Sequence, residues 1–81
     1  MDEIVNKALD PWLRRRLAER VRKLRQGKKL SQEGLSEHCG FHRTYISQVE
    51  RAVTNITLDN LQRIADSLGV DPTELLSAPA I

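Results

Sequence analysis

Arg43, Thr44, Ser47 and Gln48 fall within six residues, and all four carry groups that can hydrogen-bond the edges of nucleic-acid bases. Arginine presents two N–H groups to guanine O6 and N7. Threonine offers a methyl to thymine or a hydroxyl to any base, and glutamine matches the donor and acceptor of adenine. On a helix, spacings of three and four put these residues on one side, while Ile46 and Val49 fall on the other. Tyr45, between them, and Ser47 can each reach a base or a phosphate, and both roles stay open. A solvent-exposed polar helix face would show the same stripe, so the flanking elements have to decide its meaning.

Those elements read as five helices with short connections. The first runs from about Pro11 to Gln26, with Asp10 as cap, Pro11 in the first position and Gly27 as stop. Leu13, Leu17, Val21 and Leu24 make its apolar stripe. The second follows Ser31, turns Leu35 and Cys39 inward and ends at Gly40. A tight turn at Cys39-Gly40-Phe41 leads to a third helix from about Arg43 to Arg51, with His42 in the cap position. The fourth begins after Thr57, shows Leu58, Leu61, Ile64, Ala65 and Leu68 on one face, and stops at Gly69. Asp71-Pro72-Thr73-Glu74 starts a short fifth helix. Two short helices joined by a tight turn, the second with a base-reading face, are the plan of a helix that enters the major groove of DNA.

Composition narrows the alternatives. The 81 residues allow one small core, which must be aliphatic because Trp12, Phe41 and Tyr45 are the only aromatics. The expected organisation is an N-terminal extension at 1–10, one domain at 11–77 and a tail at 78–81. Cys39 is the only cysteine, so an internal disulfide is excluded, and a reducing intracellular setting is expected. No apolar run is long enough to span a bilayer. Nine basic residues against Glu19 lie between Pro11 and Leu30, whereas from Thr57 onward Arg63 stands against four acids. That asymmetry suits a domain with one face toward phosphates, although a solvated helix face would also carry it.

Leu30-Ser31-Gln32-Glu33, Gly40-Phe41, Tyr45-Ile46-Ser47, Val49-Glu50-Arg51 and Leu68-Gly69-Val70 resemble the Cro and repressor type (Xre family) of helix-turn-helix domain over roughly Leu17 to Leu76. The run from Arg43 to Ser47, with Glu50-Arg51 and Asn55, is especially similar to controller proteins of restriction–modification systems. The resemblance implies an all-α, five-helix repressor-type fold. It also implies a homodimer that regulates transcription on a palindromic double-stranded operator by excluding or contacting RNA polymerase. Base reading falls to Arg43, Thr44, Tyr45, Ser47 and Gln48, and phosphate contact to Gln32, Asn55 and Thr57. Arg25 and Glu50 form a structural ion pair. A phage-type repressor or an antitoxin shares the same motifs, and a helix-turn-helix module that binds protein is the rival of another class. Ala52 stands where the family usually has glycine, so a left-handed backbone there would cost roughly 1 kcal/mol.

Other chemistry is poorly supplied. His38, Cys39 and His42 lack a fourth ligand at zinc-site spacing, so no metal is expected. Trp12 is expected to pack on the first helix rather than form a ligand platform. No nucleophile with a base, phosphate loop or carboxylate pair is present, so the chain reads as a non-enzyme without cofactor or small-molecule ligand. Val70, Leu75, Leu76 and Ile81 exceed what a four-helix core requires and mark the expected dimer surface, unless they close the protomer's own core.

Overall fold

A computed structural model describes residues 8–79. Among these the chain is all-helical, with α1 at Trp12–Gly27, α2 at Gln32–Cys39, α3 at Tyr45–Glu50 and α4 at Leu58–Leu68. The expected fifth α-helix is instead a single 3-10 turn at Pro72–Leu75. Asp71 caps it as expected, its Oδ1 accepting from the Thr73 N–H at 2.8 Å and the Thr73 hydroxyl at 2.6 Å. A turn of four residues closes i→i+3 bonds before an α-helical ladder can form.

Local chemistry explains most boundaries. Ser31 Oγ accepts from the Gly34 N–H at 2.8 Å, and Thr57 Oγ1 from the Asn60 N–H at 3.1 Å, so each caps its helix. Gly40 and Gly69 end α2 and α4 with φ of 79° and 71°, the left-handed region open to glycine. The ends of α1 differ from expectation. Asp10 caps with its backbone, the Trp12 N–H donating to its carbonyl at 2.8 Å, while its carboxylate accepts from Arg15 Nη2 at 2.7 Å. Gly27 stays inside α1, and Lys29 takes the left-handed position with φ 59°. Arg25 Nη1 donates to the Leu30 carbonyl at 2.8 Å, so a tertiary hydrogen bond sets this turn instead of the nearest glycine.

The core is Leu17, Val21, Leu35, Cys39, Ile46, Val49, Leu61, Ile64, Ala65, Leu68 and Leu75. Helix α1 packs on α3 and the 3-10 turn, α2 on α3 and α4, and α4 on the 3-10 turn. Leu58 and Leu13 depart from their expected inward stripes, at 81% and 43% exposed. Leu75 is fully buried within the single chain, which removes it from the expected dimer surface; Val70 and Leu76 stay half-buried, and Ile81 lies outside the described residues. Much of the 1–10 extension and the end of the tail lie outside them too. Trp12 is 52% exposed and packs through its own helix, with the Arg16 guanidinium 5.0 Å from its ring centroid.

Candidate nucleic-acid interface

Helix α3 has only six residues, too few to persist alone. Its start is held by three acceptors. The His42 carbonyl takes the Tyr45 N–H at 2.9 Å, His42 Nδ1 takes the Thr44 N–H at 3.3 Å, and Ser36 Oγ of α2 takes the Ile46 N–H at 3.0 Å. The N-cap of α3 is thus Thr44, two residues after the expected His42, and its side chain makes no capping bond; His42 braces the turn that precedes the helix. Ser36 is fully buried and fixes the angle between α2 and α3; nothing in its local sequence marks it for that role.

The far end of α3 is held by Glu50, whose side chain is 1% exposed. Arg25 grips its carboxylate with two bonds, Nε to Oε2 at 2.6 Å and Nη2 to Oε1 at 3.0 Å. Gln32 Nε2 donates to Oε1 at 2.9 Å, and Arg22 Nη2 donates to the Glu50 carbonyl at 2.9 Å. The hydrogen bond to Glu50 raises the Arg25 guanidinium above its ordinary value. A buried carboxylate is costly unless fully satisfied, and this one draws donors from both α1 and α2. The third helix is therefore clamped at both ends.

Clamping leaves one stripe facing outward. Arg43 and Thr44 are exposed in the turn before α3, which begins two residues later than expected, and Ser47 and Gln48 are half-buried on the helix itself. Arg51, which the sequence reading passed over, is exposed one turn beyond Ser47 and extends the stripe, as its i+4 spacing indicates. Tyr45 is drawn partly aside. Its ring packs on Phe41 at a centroid distance of 4.4 Å, and its hydroxyl accepts from Asn60 Nδ2 of α4 at 3.1 Å. The phenol proton is left to donate outward.

Gln32 heads α2, where free backbone N–H groups point outward, and its side-chain amide keeps a second N–H beyond the one spent on Glu50. Asn55 and Thr57 are exposed in the α3–α4 loop, which Ala52 opens with φ 61°. The α1 basic cluster is less available than its charge suggests. Arg15 pairs with Asp10, Arg16 reaches the Leu76 carbonyl at 3.5 Å, Arg20 donates to the Glu74 carbonyl at 2.9 Å, and Arg22 and Arg25 hold Glu50. Among the described residues no three His, Cys, Asp or Glu side chains gather as a metal site. Cys39 is buried, with Sγ 3.3 Å from Ser67 Oγ, and burial pushes its thiol up. Among the described residues no helix is long and apolar enough to cross a membrane.

A short helix clamped at both ends, with a polar stripe outward and a turn linking it to α2, is the architecture of a helix-turn-helix domain. The helix-turn-helix family model HTH_3 matches residues 21–75, and the chain belongs to that family. It is 45% identical over 64 residues to control protein C.BamHI of Bacillus amyloliquefaciens, covering 78% of this chain and 79% of that protein. The crystal structure of the hypothetical transcription factor NHTF from Neisseria superposes with a TM-score of 0.82 at 43% identity, covering 90% of this chain and 85% of that one. The restriction–modification controller protein C.AhdI from Aeromonas hydrophila superposes with a TM-score of 0.74 at 39% identity, covering 76% and 94%.

Proposed function

We propose that this protein regulates transcription by binding a specific double-stranded DNA site as a homodimer, in the manner of a restriction–modification controller. The observation that carries this is the outward stripe of Arg43 and Thr44, in the turn that opens α3, with Ser47 and Gln48 on the helix, whose other side is locked to α1 and α2. A rigid reading helix keeps its side chains in register with base edges. The relatives named control proteins point to the same role. Gln32, the α2 N-terminus, Asn55, Thr57 and Arg51 contact phosphates around the reading helix and set its register. Tyr45 donates its hydroxyl proton to a phosphate oxygen or to a base acceptor.

One protomer of this size reads few base pairs, so a two-fold pair of half-sites about one helical turn apart supplies the specificity. The bound dimer acts at the nucleoid by occupancy, excluding RNA polymerase or contacting it. The chain performs no catalysis and takes no small-molecule ligand, and its control is its own concentration through dimerisation.

The test is selection of binding sites from a random duplex pool, followed by affinities across a salt series. A two-fold symmetric winner bound some 10³-fold tighter than random DNA is expected. Binding with a steep salt slope and no preferred sequence reduces the site to phosphate contact. No binding to any duplex rejects the DNA reading in favour of a protein-binding module.

A further inference from the structure

Thr44 is the N-cap of α3, yet its hydroxyl does not cap. A cap hydroxyl ordinarily accepts from the backbone N–H two or three residues on. Here the Ile46 N–H, two residues on, is taken by Ser36 Oγ of α2 at 3.0 Å. The Thr44 hydroxyl is thereby released, and it lies 3.0 Å from His42 Nδ1 instead. We infer that His42 fixes this hydroxyl as a hydrogen-bond acceptor toward DNA, so that Thr44 selects adenine or cytosine at the base it meets. This rests on the DNA reading above and gives His42 a place in it as a positioning residue.

The polarity follows from a second bond at the same ring nitrogen. The Thr44 backbone N–H donates to His42 Nδ1 at 3.3 Å. A ring nitrogen that accepts carries no proton, so the proton of the neutral imidazole sits on Nε2. Two acceptors would repel each other at 3.0 Å, so the Thr44 hydroxyl is the donor in its contact with Nδ1. A hydroxyl has one proton and two lone pairs. With the proton spent on His42, only the lone pairs remain for a partner outside the chain, and both residues are exposed to one.

Few groups on a duplex suit such a hydroxyl. Phosphate oxygens only accept, as do guanine O6 and N7 and thymine O4, so none of them can bond it. The donors in the major groove are the amino groups on adenine N6 and cytosine N4. Every base pair holds one of these, on one strand, so an acceptor at Thr44 tells A·T from T·A and C·G from G·C. Arg43, one residue earlier, has only donors and suits guanine, so the two neighbours read opposite polarities.

Nitrogen NMR of the imidazole in the free full chain is the first test. The Nε2–H tautomer of neutral His42 is expected, and an Nδ1–H tautomer overturns the inference. Competition binding to the selected operator, carrying each single base-pair change in turn, is the second. Thr44→Val keeps the side-chain shape without the hydroxyl and so marks the base pair that Thr44 reads. There the wild type is expected to favour one orientation of the pair over its inverse by about 5- to 10-fold. Replacing that adenine or cytosine by purine or 2-pyrimidinone, which lack the amino group, should cost the wild type a similar factor and Thr44→Val nothing. His42→Ala frees the hydroxyl to rotate and should bring the preference below about 2-fold at that base pair alone. His42→Asn, whose side-chain oxygen also accepts, should keep it, and in a Thr44→Val background His42→Ala should change nothing there. A Thr44→Val variant with the wild-type preferences, equal losses for both proteins on amino deletion, or a His42→Ala variant that weakens every duplex alike overturns the inference and leaves operator binding standing. A wild type that prefers no duplex sequence overturns both.

Discussion

At the residue scale Glu50 carries the largest expectation. It is buried with a charge, and its donors come from residues 18 to 28 positions away. Glu50→Ala strands the Arg25 guanidinium and frees the end of α3. A loss of roughly 3–5 kcal/mol is expected, read as a lower Tm; an unchanged Tm would refute the clamp. Arg43→Ala should instead leave Tm alone and relax selectivity at one base pair by about 1–3 kcal/mol, measured against operators varied at that position. Tyr45 and Asn60 are expected to act as a pair. If Asn60 orients the phenol, Asn60→Ala weakens operator binding about 2- to 10-fold beside Tyr45 and has no effect in a Tyr45→Phe background. Equal losses in both backgrounds would give Asn60 a role independent of the phenol.

At the element scale the short pieces depend on their ends. Ala52 adopts φ 61° with its N–H bonded to the Val49 carbonyl at 3.0 Å, the geometry that usually takes glycine. Ala52→Gly should raise stability by about 1 kcal/mol, checked by chemical denaturation. The 3-10 turn hangs on Asp71, whose carboxylate the Thr73 hydroxyl and N–H hold below its ordinary 3.8. A depressed folded value means the ionised form stabilises the fold. That contribution is complete above the unfolded value and is lost as pH falls through the folded one. The Tm gap between wild type and Asp71→Ala should thus be full at neutral pH and close below about pH 3.8; a gap that widens in acid would contradict the cap.

At the scale of the whole molecule, the basic first helix turns out to work mainly inside the chain. Arg20 ties α1 to Glu74 with a carbonyl contact at 2.9 Å and a carboxylate contact at 3.5 Å. Arg20→Ala should lower Tm while leaving the slope of log K against log salt unchanged, because that slope counts phosphates neutralised. A slope shallower by about one would show that Arg20 touches DNA instead.

The order of the helices, the caps at Ser31 and Asp71, the stops at Gly40 and Gly69 and the polar stripe at α3 could be read along the chain, because each is written in neighbours within about four residues. The resemblance paired Arg25 with Glu50, and the structure places them 2.6 Å apart. Other features had no local signal. Ser36 holding Ile46, Asn60 meeting Tyr45, Arg22 holding the end of α3, and Leu58 turned to solvent while Leu75 fills the core are separated by ten residues or more or set by packing. The amphipathic pattern marks which residues are apolar, but a core with few positions cannot bury them all. Only the way the helices stack decides which are enclosed and which gather, as Trp12, Leu13 and Leu58 do, on one exposed groove.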